Sequence, residues 1–224
     1  MLEVSDGAPL RLAAALAAAP IASVVIMPAR GAALAAAAVG PLVALAQKAG
    51  AAALITRDAR LARTIKADGV HLPASATLET DYAEARELIS QRFVTGVDAG
   101  ASRHDAMTAG EAGADYVGFS IVDDASSGHR TEQIEEADEH DIAVDVKLAP
   151  REERLAQIAW WAEIFEVPCV AFDVQSIEEA EELAAAGADF IGIRIGSGIT
   201  PADVAAQVRA FGAAITVDRE SVRT

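Results

Sequence analysis

Disulfides are excluded from this chain, because Cys169 is its single cysteine in 224 residues. The thiol lies in the apolar run Val167–Phe172 and reads as a buried, inert side chain. Such cysteine usage fits a reducing compartment, so a cytoplasmic protein is expected. Aromatic residues are also scarce, at 4%, although hydrophobic residues reach 52%. A core made of alanine and branched aliphatics lets helices lie close against strands. No apolar run reaches the about 18 residues of a membrane span. The first residues lack the basic start and apolar stretch of a signal peptide. Cations are few: 18 Lys and Arg against 34 Asp and Glu give a formal net charge of −16. That balance argues against nucleic acid and anionic membrane surfaces as partners. A phosphate ligand would need a local cation or a helix N-terminus.

What the chain does have is a repeated phrase. Gly113-Ala114-Asp115-Tyr116-Val117-Gly118 returns as Gly187-Ala188-Asp189-Phe190-Ile191-Gly192, and Ala67-Asp68-Gly69-Val70-His71-Leu72 is a looser third copy. Each copy joins the end of an alanine-rich helix to a short apolar strand, with glycine suited to the helix stop. Continuous apolar runs at Ser23–Met27, Ala52–Thr56, Gly69–Leu72, Phe93–Asp98, Tyr116–Val122, Cys169–Val174 and Phe190–Ile195 predict parallel strands buried on both faces. Helices are expected between them. Asp81–Ile89 has one apolar face, Ser176-Ile177-Glu178-Glu179 reads as a capping box, and Ser102 and Thr200-Pro201 mark two further starts. In Arg151–Phe165, Leu155, Ile158, Ala162 and Phe165 are expected inward, with Trp160 at the edge of that stripe.

The spacing predicts a single domain over residues 1–224, a (β/α)8 barrel of the TIM type whose first β/α unit is short or partly missing. Leu2–Ser5 is the candidate eighth strand, with Ile142–Lys147 and Ala213–Val217 competing for that place. The acidic stretch Arg130–Asp141 is expected to be an exposed loop.

With the strands placed, the chain resembles the thiamine phosphate synthase and thiazole tautomerase family. The resemblance runs from about Ser23 to Gly198 and rests on Ala53-Leu54-Ile55-Thr56-Arg57-Asp58, Ala67–Leu72, Thr95-Gly96-Val97-Asp98 and Glu111–Phe119. It implies a barrel, usually dimeric. It also implies a reaction joining hydroxymethylpyrimidine diphosphate to thiazole phosphate, with magnesium on the diphosphate. The sequence departs from the family's site at several positions. Met27-Pro28-Ala29-Arg30 stands where the family has Gln-x-Arg-x-Lys. Arg57-Asp58 stands for Asn-Asp, so Asp58 is the surviving metal-binding acid. Pro73-Ala74-Ser75-Ala76 lacks the second acid, and Asp98 replaces a serine. Ala125-Ser126-Ser127-Gly128 lacks the family's lysine, Asp173-Val174 replaces Gly-Gly, and Gly100 stands where the tautomerase branch needs histidine.

A barrel's ligand site lies at the carboxyl ends of its strands. There the strongest candidate for phosphate is Gly196-Ser197-Gly198, ahead of a helix and assisted by Arg194. Candidate ligand contacts are Arg57, His71, Ser120, Ser127, Arg130 and Asp173. Asp58 is the candidate metal ligand, against a helix N-cap reading, and His71 is read against a core histidine. No cofactor is required by these residues, and magnesium enters only through Asp58. The expectation is therefore a family barrel that binds a phosphorylated or heterocyclic metabolite and has lost the coupling reaction. Two alternatives stay open: an active synthase with a rewired site, and a structural or interaction dimer module.

Overall fold

The computed structural model describes residues 1–121 and 150–221, with side chains to residue 215. Strands and helices alternate through the described residues. They run β1 (Leu2–Val4), α1 (Ala8–Ala18), β2 (Ser23–Pro28), α2 (Ala36–Lys48), β3 (Ala52–Thr56), α3 (Ala59–Thr64), β4 (Gly69–Leu72) and α4 (Leu78–Leu88). The second half continues β5 (Val94–Asp98), α5 (Arg103–Glu111), β6 (Tyr116–Phe119), α6 (Pro150–Ile164), β7 (Cys169–Ala171), α7 (Ile177–Ala185), β8 (Phe190–Ile191) and α8 (Pro201–Ser221). All neighbouring strands pair in parallel and in sequence order, β1 to β8. Past β8 the chain meets β1 at a parallel Leu2–Ile195 bridge. There Ile195 N–H donates to Met1 at 2.8 Å and Glu3 N–H donates to Ile195 at 3.1 Å. This closure makes the architecture a TIM-like α/β barrel.

The expected first strand is present and short, at three residues, and α1 completes its unit. Ala213–Val217 is not a strand but part of α8, because a helix of 21 residues continues from Pro201. Ile142–Lys147 and Arg130–Asp141 lie outside the described residues.

The repeated phrase has a shared geometry. Gly113 and Gly187 follow the last turns of α5 and α7 with φ of 87° and 109°, a left-handed stop that glycine adopts without a Cβ clash. In the looser copy Lys66 takes that place, at φ 59°. The aspartate two residues later then ties two strands together. Asp68, Asp115 and Asp189 accept the amides of Ala53, Thr95 and Cys169 at 2.7, 2.7 and 2.9 Å. Each also donates its own amide to the carbonyl of the same partner residue. These ties sit at the amino ends of the strands, opposite the mouth.

Two apolar clusters result among the described residues. The larger lies between sheet and helices and includes Ile26, Ile55, Val117, Phe119 and Trp161. The smaller fills the lumen, with Val25, Leu54, Val170 and Phe172. Gly96 admits the Tyr116 ring there, since a Cβ at Gly96 would stand 1.9 Å from it.

Helix α6 differs from expectation. Its buried face is Arg154, Gln157, Ile158 and Trp161, while Ala162 is exposed. Trp161 stacks on Phe165 and donates its indole N–H to Val167 at 2.7 Å. Filling that face with the larger ring displaces the alanine stripe outward. Trp160 is half-buried at the edge, as its spacing predicts, with the Arg103 guanidinium 4.6 Å from its ring.

Candidate functional site

At the carboxyl end of the barrel, Arg194 and Asp173 form a two-point ion pair. Arg194 Nε reaches Oδ1 at 2.8 Å and Nη2 reaches Oδ2 at 2.6 Å. This fork geometry suits a planar guanidinium, and the Asp173 hydrogen bonds push the Arg194 pKa up. Arg194 Nη1 also points at the Met27 sulfur, 3.6 Å away. Asp173 is held at φ 55°, a strained value for a residue with a Cβ. Its turn is braced from behind. Buried Arg154 on α6 donates to the Phe172 carbonyl and pairs with buried Glu179 on α7. Glu179 in turn accepts the amide of Gln175 at 2.8 Å. The expected capping box is therefore half made. Ser176 Oγ caps Glu179 N–H at 3.2 Å, but the Glu179 carboxylate goes to Arg154 and Gln175 rather than back to Ser176.

Asp98 ends β5 and is buried. It accepts the amide of Gly100 at 2.9 Å and a hydrogen bond from Ser120. Burial raises its pKa, with those hydrogen bonds opposing the rise. One level below, His71 is wholly buried. Its Nδ1 lies 2.8 Å from the Tyr116 hydroxyl, and the Phe172 ring meets it edge-on at 4.9 Å. Burial pulls the His71 pKa down to about 3, so the ring is neutral near pH 7. Its Nε2 has no partner among the described residues. His71 belongs to the lumen floor rather than the rim.

Arg57 has φ 64°, and its amide bonds the His71 carbonyl at 2.9 Å. Its side chain leans outward to Asp81 on α4, at 3.7 Å. There it lines a groove of about 360 Å³ with Asp58, Leu72, Asp81, Glu84 and Leu88. Asp58 caps α3, accepting Leu61 N–H at 2.8 Å on Oδ1. That leaves one carboxylate oxygen for other work. Among the described residues no group of three or more His, Cys, Asp or Glu could hold a metal ion. Arg30 is exposed at the end of the β2 segment. Ser127 and Arg130 lie outside the described residues.

The loop Gly196-Ser197-Gly198 leads into α8. Thr200 Oγ1 accepts Asp203 N–H at 3.2 Å as the helix cap. None of the amides from Gly196 to Thr200 donates to a described residue. Behind the loop sits Arg11 of α1, only 4% exposed. It donates to the Asp6 carbonyl at 3.0 Å, to Ser5 Oγ at 2.6 Å and to the Ser197 carbonyl at 3.3 Å. Neither Arg11 nor Arg154 was among the residues expected in the site. The signal was present in the spacing. Arg11 shares a helix face with Ala8 and Ala15, and Arg154 shares one with Ile158 and Trp161.

A family profile described as thiamine monophosphate synthase matches residues 8–196. The chain belongs to that family. The curated thiamine-phosphate synthase of Erythrobacter litoralis is 34% identical over 171 residues, covering 76% of this chain and 70% of that protein. The thiamine-phosphate synthase of Rhodospirillum centenum is 37% identical over 144 residues, covering 64% of this chain and 59% of its own length. Among solved structures, the thiamine phosphate pyrophosphorylase of Pyrococcus furiosus superposes with a TM-score of 0.65. At 19% identity, over 96% of this chain and 91% of that one, it supports the fold. Among the described residues no helix is long and apolar enough to cross a membrane.

Proposed function

We propose that the chain is an active thiamine phosphate synthase with a rewired site. It would join hydroxymethylpyrimidine diphosphate to thiazole phosphate and release diphosphate. The observation that carries this reading is the 34–37% identity to curated synthases from separate organisms. It favours this reading over the expectation of a lost reaction, which rested on substituted contact residues alone.

The chemistry asks three things of the residues present. The bond from the pyrimidine methylene to the diphosphate oxygen breaks, and its electron pair leaves with the diphosphate. The thiazole nitrogen supplies the pair for the new carbon–nitrogen bond. Between these events positive charge develops on the pyrimidine, and the Asp173 carboxylate would meet it once Arg194, its partner in the ion pair, turns to a substrate phosphate. The amides of Gly196, Ser197 and Gly198 take a substrate phosphate at the start of α8, with Arg194 as the nearby cation. Magnesium would neutralise diphosphate charge, with Asp58 offering a single oxygen.

The test is a coupled assay with both substrates and magnesium. Thiamine phosphate and diphosphate should form in equal amounts and only when both substrates are present. No turnover, with phosphate still bound at Gly196–Gly198, would return the chain to the non-coupling reading. We also read the protein as a homodimer through the Trp160 region, where a half-buried tryptophan and exposed Ile164 end α6.

A further inference from the structure

We propose that Arg11, on the first helix, is a positioning residue for an anion bound by the loop before α8. This rests on the reading of Gly196–Gly198 as a phosphate site. Three observations carry it.

The first is charge. Arg11 is buried, and all of its hydrogen-bond acceptors are neutral: two backbone carbonyls and a serine hydroxyl. No carboxylate of a described residue lies within ion-pair distance, and its Nε has no partner. A buried guanidinium without a carboxylate partner is an expensive arrangement. A bound anion at the adjacent loop would balance it.

The second is direction. Arg11 holds the Ser197 carbonyl at 3.3 Å. The peptide is trans, so the Gly198 N–H must point the opposite way. Arg11 lies on the buried side, and Gly198 is exposed. The guanidinium therefore turns the Gly198 amide outward, where a ligand oxygen can meet it. The neighbouring amides from Gly196 to Thr200 equally donate to no described residue.

The third is competition. Asp203 lies in the first turn of α8 and accepts the Thr200 hydroxyl at 2.7 Å. A carboxylate there already draws on the positive end of the helix. An incoming anion then depends on a second source of positive charge, and Arg11 is the buried cation that touches the loop.

The experiment titrates the full chain with inorganic phosphate and follows backbone amide shifts. In the unsubstituted protein Gly196, Ser197, Gly198 and Thr200 should move together. Arg11→Met should weaken phosphate binding about tenfold or more, with Arg11→Lys intermediate because it keeps the charge but not the fork. Ser5→Ala guards against misfolding. It removes one guanidinium contact without touching the loop or the charge, and should weaken phosphate severalfold. In the synthase assay these variants should raise the KM of one phosphorylated substrate and leave kcat near its original value. Wild-type phosphate affinity in both Arg11→Met and Ser5→Ala would overturn the role of Arg11 while leaving the loop site standing. Amides that stay still in the unsubstituted protein would remove the loop site and this inference with it.

Discussion

The carboxylate of Asp189 accepts the amide of Cys169 at 2.9 Å, while the Asp189 amide donates to the Cys169 carbonyl at 3.1 Å. One residue thus closes both hydrogen-bonding groups of a strand-opening residue. Asp68 and Asp115 do the same for Ala53 and Thr95. Asp189→Ala should lower unfolding free energy by about 1–3 kcal/mol, because it removes a charge-assisted bond and leaves a backbone donor without its partner. Urea denaturation measures this. The ties lie at the face opposite the mouth, so the turnover proposed above should stay unchanged in the folded variant.

Lys66 carries a left-handed backbone where the other two copies have glycine. Lys66→Gly should raise stability by about 0.5–1 kcal/mol, the relieved Cβ strain outweighing the added chain entropy. Gly113→Ala should do the reverse. A Cβ there meets no atom within 4 Å, so the loss would come from the backbone alone. A Lys66→Gly protein that melts lower than the parent would contradict this account.

His71 should remain neutral far below the usual histidine range, since burial holds its pKa at about 3. The unfolded chain, at the ordinary 6.5, binds the proton more readily across that interval. Stability from this group is therefore present above pH 6.5 and is lost as the pH falls toward 3. Ring resonances of His71 followed by NMR should not titrate between pH 8 and 5. A midpoint near 6.5 would mean that water reaches the lumen floor.

Asp98 has the opposite sense. Its raised pKa means that the native state holds the proton more tightly than the unfolded chain. Stability falls as pH rises from the ordinary carboxylate range through the folded value. Asp98→Asn should accordingly melt higher than the parent at pH 7, and the difference should shrink in acid. An equal difference at every pH would assign the effect to packing instead.

Light scattering at micromolar protein should give the mass of a dimer, and Trp160→Ala should shift it toward the monomer. Arg103 already covers one side of the Trp160 ring within the same chain. A monomeric mass for the parent protein would remove the dimer, and a dimer indifferent to Trp160→Ala would place its interface elsewhere.

The barrel was legible because its signals are local. Apolar runs marked the strand cores at Ala52–Thr56 and Gly69–Leu72, and Asp58, Ser102 and Thr200 cap helices as their spacing predicts. The site was less legible because its decisive contacts are distant in sequence. Arg11 meets Ser197 across the closure, and Arg154 meets Glu179 between two helices. Arg57 turns from the mouth toward Asp81 through a positive φ that no residue pattern announces. On a helix, an arginine among alanines looks like a solvated face until its partner is known. Phe172 and Tyr116 were placed in strands, but their common occupancy of the lumen required the register.

That occupancy sets how deep a substrate can go. A Cβ at Gly96 would collide with Tyr116, and one at Gly118 or Gly192 would come within 2.4 or 2.8 Å of the Phe172 ring. Three hydrogens in place of side chains therefore fix the height of a solid aromatic plug. In the proposed reaction the reactants would then lie across the rim like a bridge, not descend the axis like a bolt. On that reading substrate choice falls to the rim loops, and a designer seeking larger substrates should lengthen the loops after β7 and β8 before hollowing the barrel.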